Sequence, residues 1–287
     1  MKAPPFKYHA PSTLADALSL LSAMPNARVL AGGQSLMPML NLRVAGPEHL
    51  IDLNQIAELR QLKRDGDHII TGAMCTQRSV ERSDLVAQLC PLLHQAVLHI
   101  GHQQTRNRGT IGGSLAHLDP GAELPVIAAA LNAEIEIANQ SGTRKVAFSD
   151  FAQGYLTNCL EADEIVTAIR WSIAPPSSGA AFHEFNRRPA DFAIVSAAVE
   201  IVLNAKGAIS SAKIALGGIQ GAPLVLSDAT LIGQTQIDPE TAQTLLRGVD
   251  CDGDDLYPPD FRHEIAGVFL QRALNEAFQH ARSAAHV

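Results

Sequence analysis

Thr110-Ile111-Gly112-Gly113-Ser114 restates, further along the chain, a pattern already set by Ala31-Gly32-Gly33-Gln34-Ser35. In each, a β-like or apolar run enters a Gly-Gly pair, and a serine follows one or two positions later. A strand that ends in two glycines can turn several backbone N–H groups inward with no side chain in the way. Such a concave nest suits a phosphate or diphosphate, and a serine hydroxyl adds a donor. One pair alone reads as a tight turn, glycine's commonest use. A dinucleotide held by such loops would need an architecture other than the common ones. The usual nucleotide fingerprints are missing: no GxGxxG follows a strand and no GxxxxGK[ST] occurs, so neither a Rossmann site nor a P-loop holds it.

Working outward, Arg28-Val29-Leu30-Ala31 reads as a buried strand running into the first glycine pair. Before it, a short strand near Phe6-Lys7-Tyr8 leads to Pro11-Ser12-Thr13. That cap opens a helix through Leu14, Leu18 and Leu21, which Pro25-Asn26 ends. After it, strands are expected at Leu50–Leu53 and His68–Thr71, and helices at about Ser79–Leu89 and Pro91–Ile100. Asp119 is expected to cap a further helix with Pro120 at its first position and an apolar run from Leu124 to Leu131. Strands follow at Ala133–Ala138, Arg144–Phe148 and Glu164–Ile173. Pro, Ser and Gly cluster at Ala174–Gly179 and mark a boundary. Beyond it come strands near Ala180–Phe185, Ala193–Leu203 and Lys213–Leu216, and a closing helix from about Arg262 to Ala281. Strands and helices in this mixed order predict α+β domains, not one doubly wound sheet.

The composition is ordinary for a globular chain: 287 residues, 46% hydrophobic, 18% charged. A formal net charge of -7, with no block of Lys or Arg, excludes nucleic acid and anionic membrane surfaces as expected partners. No secretion signal is read at the N-terminus, and no apolar run approaches a bilayer span, so a cytoplasmic location is expected. Cys75, Cys90, Cys159 and Cys251 form no CxxC pair, which argues against a zinc or iron–sulfur centre here.

Three other groups of residues could carry chemistry. Gly112-Gly113-Ser114-Leu115-Ala116 falls one residue short of the GxSxG nucleophile elbow, with Asp191 and His263 downstream. The elbow needs a strand–Ser–helix turn, and the expected helix starts only near Asp119. His94, His99 and His102 are spaced five and three apart, which does not put all three on one helix face for a metal. Arg187-Arg188 with Asp191 reads equally as a phosphate or subunit clamp and as a surface ion pair.

Taken together, the stretches Ala31–Arg43, Arg106–Pro125, His183–Ala193, Phe261–His263 and Gln271–Leu274 resemble the medium, FAD-carrying subunit of the molybdenum hydroxylases, the xanthine dehydrogenase and carbon monoxide dehydrogenase family. The likeness covers nearly the whole chain, and the two glycine motifs in this order are its specific part. It implies a two-part FAD-binding domain of the vanillyl-alcohol-oxidase type over 1–174, divided near 55, and a smaller α+β C-terminal domain over 180–287.

By the same resemblance, Ala31, Gly32, Gly33, Gln34 and Ser35, with Thr110, Ile111, Gly112, Gly113 and Ser114, hold the pyrophosphate and flank the flavin. Glu123 matches an acidic position that contacts the cofactor, Val166 a position whose backbone meets the flavin ring, and Ile100 an apolar position beside it. His183 stands where xanthine dehydrogenases carry a lysine, a departure that leaves no charge role to carry over. Gly112→Val and Gly33→Val are expected to abolish flavin retention. The resemblance places molybdopterin on a large partner subunit and 2Fe–2S clusters on a small one, in a dimer of heterotrimers. It implies an electron-transfer role, with an N-heteroaromatic, aldehyde, purine or carbon monoxide as substrate, the first of these favoured. The alternative is a stand-alone flavin oxidase or reductase.

Overall fold

The computed structural model describes residues 1–285; positions 286 and 287, the end of the expected C-terminal domain, lie outside the described residues. The chain opens with β1 (Lys7–His9), α1 (Leu14–Ala23), β2 (Ala27–Leu30), α2 (Leu36–Leu42) and β3 (His49–Asp52). The Thr13 hydroxyl accepts the Asp16 N–H and starts α1, whose Ala17, Leu18 and Leu21 pack inward. The three strands form a parallel sheet in the order β1-β3-β2. This connectivity delivers the end of β2 to the sheet's C-terminal edge, where the first glycine loop begins.

The second part contains β4 (Leu62–Asp65), β5 (His68–Gly72), α3 (Gln77–Glu81), α4 (Asp84–Leu89), α5 (Pro91–His99), α6 (Gln103–Arg108), α7 (Ile111–His117) and α8 (Glu123–Ala130). Then come β6 (Glu134–Asn139), β7 (Gly142–Ala147), α9 (Phe148–Phe151), the small hairpin β8 (Ala152–Gly154) and β9 (Thr157–Asn158), and β10 (Ile165–Ser172). Antiparallel pairing gives the order β4-β5-β10-β6-β7. The helices cover one face, and Leu92, Leu93, Val97, Leu115, Ile127 and Trp171 are among the residues sealed between. The buried Trp171 N–H is satisfied by the Thr71 hydroxyl at 2.9 Å.

The last part is an antiparallel sheet of β11 (Ser178–Phe185), β12 (Val195–Leu203), β13 (Ile209–Gly217) and β14 (Leu224–Leu226), with α10 (Thr241–Leu245) and the long α11 (Pro259–Ala285). The α11 helix lies across β11 and β12, closely enough at Gly179 that a Cβ there would strike the Ala277 carbonyl. Arg262 fixes its start by donating to the carbonyls of Ile194 and Gly218 and pairing with Asp254. The opposite face of this sheet receives α8, so α8 is shared by both domains. Among the described residues no helix is long and apolar enough to cross a membrane.

Three sequence expectations change. The helix expected over Ser79–Leu89 is broken at Arg82–Ser83, because the Ser83 hydroxyl caps a new helix at the Val86 N–H. Asp119 does not cap a helix: its carboxylate accepts the Gly121 N–H in a local turn, and α8 begins at Glu123. A helix not expected, α7, runs through the second glycine pair and stops where Leu118 takes a left-handed conformation, φ 54. The strands β4 and β14 and the helices α2 and α6 were likewise not expected from the pattern.

Candidate functional site

The fold brings the two glycine loops together. A Cβ on Gly32 would run into the Arg108 carbonyl, with the Arg108 carbon at 2.8 Å and Gly109 Cα at 2.9 Å. A Cβ on Gly113 would lie 3.2 Å from that of Ala31. Backbone therefore packs on backbone, and only glycine permits the approach. Asn54 holds the first loop from below, donating to the Ala31 carbonyl at 2.9 Å while Asp52 fixes its amide at 2.6 Å.

Backbone donors are spent differently in the two loops. Among the described residues nothing accepts the N–H groups of Gly32, Gly33, Gln34 or Ser35, and the Ser35 side chain makes no cap bond. Gly33 sits at φ +74, the left-handed conformation that turns successive N–H groups to one side. In the second loop four of the five backbone donors are engaged: Ile111 N–H to Cys75 O (2.9 Å), Gly112 to Ala73 O (2.9 Å), Gly113 to Thr110 Oγ1 (3.1 Å) and Ser114 to Thr110 O (3.1 Å). The run of consecutive free N–H groups thus belongs to Ala31–Ser35, while the glycines of Thr110–Ser114 form a tightly seated wall. A Cβ on Gly112 would meet Ala73 Cβ at 2.5 Å and Ala73 Cα at 2.8 Å, so its missing side chain makes room for the residue that follows β5 and not for a ligand. The expected damage from Gly112→Val keeps its direction but changes its reason.

Ala73 also ties the wall to β10. Its N–H donates to Thr167 O, 2.8 Å away, where β10 shifts register between Val166 and Ala168. Val166 lies at that irregularity and is buried beside α7. Ile100 ends α5, and its carbonyl and that of Gly101 both accept from Arg106 Nη1 at 2.8 Å. The same guanidinium pairs with Glu81 at 2.8 Å. Arg106 thereby binds α3 and the Ile100–Gly101 turn to the helix that leads into the second loop. Sequence reasoning quoted it without giving it a role, because a buried arginine on backbone carbonyls has no local signature. Arg106→Met should free the turn and leave Glu81 with Arg78 as its one cation, a loss of about 1.5–3 kcal/mol. Weaker retention of FAD by at least tenfold, read by equilibrium dialysis, is the expected result.

Glu123 and His183 separate. Glu123 is 4% exposed at the first position of α8, and burial, with Glu184 and then Asp119 nearby, pushes its carboxyl up to about 8. His183 faces the other way from its neighbour Glu184: its Nε2 pairs with Glu276 Oε2 on α11 at 2.7 Å. The structure does not bring His183 to the glycine loops.

The rival groupings disperse. Ser114 is the fourth residue of α7 and not the tip of a strand-to-helix turn; His263 bonds the Leu246 carbonyl and Asp191 bonds Arg188. Arg188, with a side chain 79% exposed, makes a surface pair with Asp191 at 2.9 Å. His94 lies against Glu81 O and His99 against Glu184, so these histidines serve different partners.

Residues 4–171 match the family described as the FAD binding domain in molybdopterin dehydrogenase, and residues 180–277 match the CO dehydrogenase flavoprotein C-terminal domain. The chain is 35% identical over 284 residues to the carbon monoxide dehydrogenase medium chain of Afipia carboxidovorans, covering 97% of this chain and 98% of that one. It superposes on carbon monoxide dehydrogenase from Hydrogenophaga pseudoflava with a TM-score of 0.93 and 34% identity, over 98% and 99% of the two chains. On quinoline 2-oxidoreductase from Pseudomonas putida 86 the TM-score is 0.91 at 35% identity, over 99% and 100%. The chain therefore belongs to the FAD-binding medium subunits of the molybdenum hydroxylases, and is an oxidoreductase subunit with a two-domain FAD-binding fold.

Proposed function

We propose that this subunit is the electron outlet of its complex: electrons released at a large, molybdopterin-binding partner reach it through 2Fe–2S clusters of a small partner and leave to an external acceptor. Bound FAD supplies the chemistry, taking electrons singly and yielding them singly or in pairs. The residues of this chain bind and orient. The carrying observation is the row of unengaged N–H groups from Gly32 to Ser35, which fits a diphosphate because each anionic oxygen gains a charge-assisted bond with no side chain to displace. Thr110–Ser114 closes the other side of that groove, and Ile100, Glu123 and Val166 line its approach. His183, committed to Glu276, is not part of this set. No residue of this chain is assigned as a catalytic acid or base.

In this reading the domains divide at 1–174 and 180–287, the complex is a cytoplasmic dimer of large–medium–small heterotrimers, and substrate choice lies on the large partner. Relatives of nearly equal similarity carry names that point to carbon monoxide and to quinoline, so similarity of this subunit does not select between them. The test is anaerobic mixing of the FAD-loaded chain with its partner subunits and substrate. Bleaching of the flavin bands that requires the cluster-bearing small subunit is expected. Bleaching by an organic substrate with the isolated chain would overturn the route and favour the stand-alone oxidase.

A further inference from the structure

Three peptide groups of the first glycine loop have their carbonyls pinned from behind. The Ala31 carbonyl accepts from Asn54 Nδ2 at 2.9 Å, the Gly32 carbonyl from Gln34 Nε2 at 3.3 Å, and the Gly33 carbonyl from the Met37 N–H at 3.1 Å. In a trans peptide the C=O and the following N–H point in opposite directions. Each pinned carbonyl therefore fixes where the next N–H points, and those of Gly32, Gly33 and Gln34 are donors that no acceptor of the described residues uses.

The first of these peptides has a cation behind it. Arg60 Nη2 donates to Asn54 Oδ1 at 3.2 Å and to the Asn54 carbonyl at 2.7 Å, and its Nη1 reaches the Met74 carbonyl at 3.4 Å. All three acceptors are uncharged oxygens. The Asn54 amide can stand only one way round, since its Oδ1 meets a donor while its Nδ2 meets two acceptors, Ala31 O and Asp52 Oδ1. Asp52 holds that amide in place. Its Oδ1 also accepts the Asn54 N–H at 2.9 Å, and its Oδ2 accepts the Tyr8 hydroxyl at 2.5 Å, so its charge is shared among several donors.

One line of bonds thus runs from the Arg60 guanidinium through the Asn54 amide to the Ala31–Gly32 peptide. Bonds in such a chain polarise one another. The cation draws electrons toward itself through Oδ1, which makes Nδ2 a stronger donor to the Ala31 carbonyl and leaves the Gly32 N–H more positive. We propose that Arg60 and Asn54 form a polarising relay that aims the Gly32 N–H and strengthens it for an anionic phosphate oxygen of the bound dinucleotide. Both are positioning residues, acting through the peptide and not by touching the ligand. The relay rests on the FAD reading above and supplies positive charge to a loop, Ala31–Ser35, that has no Lys or Arg of its own. The same guanidinium also braces the second loop. Met74 lies between Ala73 and Cys75, whose carbonyls take the Gly112 and Ile111 N–H groups.

The test separates charge from bracing. Arg60 lies at the surface, so Arg60→Gln and Arg60→Lys leave the core intact. Glutamine keeps a donor without the charge, and lysine keeps the charge without the planar fork. Binding of FAD and of inorganic pyrophosphate to the flavin-stripped full chain is measured by calorimetry for wild type and both variants, with thermal midpoints alongside. Arg60→Gln should bind both ligands about tenfold more weakly, and Arg60→Lys should stay within about threefold of wild type, at similar midpoints. Equal losses in the two variants would show a brace alone and overturn the relay, as would wild-type affinity in Arg60→Gln. A wild-type chain that takes pyrophosphate but refuses FAD would overturn the flavin reading, and the pyrophosphate affinities would then decide the relay. A chain that binds neither ligand would overturn both.

Discussion

Gly32→Ala is expected to yield a chain that retains little or no flavin and is less stable by about 1–3 kcal/mol. The added methyl meets main chain, not a movable side chain: the Arg108 carbonyl and, at 2.9 Å, Gly109 Cα. Relief requires the two loops to part, which shifts the free N–H groups of Gly32–Ser35 off their common focus. Gly33 presents the opposite case. Its neighbours are the side chains of Met37 at 3.3 Å and Leu30 at 3.5 Å, which can yield, but its φ of +74 makes any β-branched residue strained. Gly46→Ala is the control, since nothing lies within 4 Å of its missing Cβ. The ratio of flavin to protein and the thermal midpoint read both effects. Wild-type values in Gly32→Ala would show that the loops do not depend on this contact.

Lys213→Met is expected to destabilise the chain by about 3–5 kcal/mol. Glu200, 1% exposed on β12, has Lys213 Nζ at 2.9 Å, and the approach is too oblique to count as a hydrogen bond, so the pairing is mainly one of charge. The ammonium also donates to Ser172 Oγ at 3.1 Å, and Ser172 in turn donates to Leu131 O at 3.2 Å. Those two residues belong to the FAD-binding domain, while Glu200 and Lys213 belong to the C-terminal sheet. Removing the cation leaves a carboxylate buried at the junction without a partner. The double variant Glu200→Leu/Lys213→Met removes both charges and should recover most of the loss. Urea denaturation of wild type and the two variants decides this. A single variant within 1 kcal/mol of wild type would mean that water reaches Glu200 once the lysine is gone.

The strands were legible because their side chains alternate or are wholly apolar, and β2, β5, β6, β10, β11 and β12 stand close to where the pattern puts them. The glycine loops were legible as loops. Their division of labour was not, because whether an N–H is free depends on which carbonyl the fold brings beside it. Ala73 and Cys75, which absorb the donors of Gly112 and Ile111, sit far upstream in the chain. The α7 helix was hidden by its own glycines, whose low helix propensity is overridden by the Thr110 cap and by packing on Ala73. At Asp119 two local uses of one carboxylate competed, and the turn to Gly121 won over the helix cap. Arg106 and Arg60 had no signature at all. Both matter through partners on other elements, which only the folded chain assembles.

The central claim is that the paired glycine loops hold FAD. A visible absorption spectrum of the purified chain, with the cofactor released and identified, tests it most directly. Flavin bands that bleach with dithionite, and released FAD in about one copy per chain, are the expected result. A colourless chain that also fails to bind added FAD would contradict it.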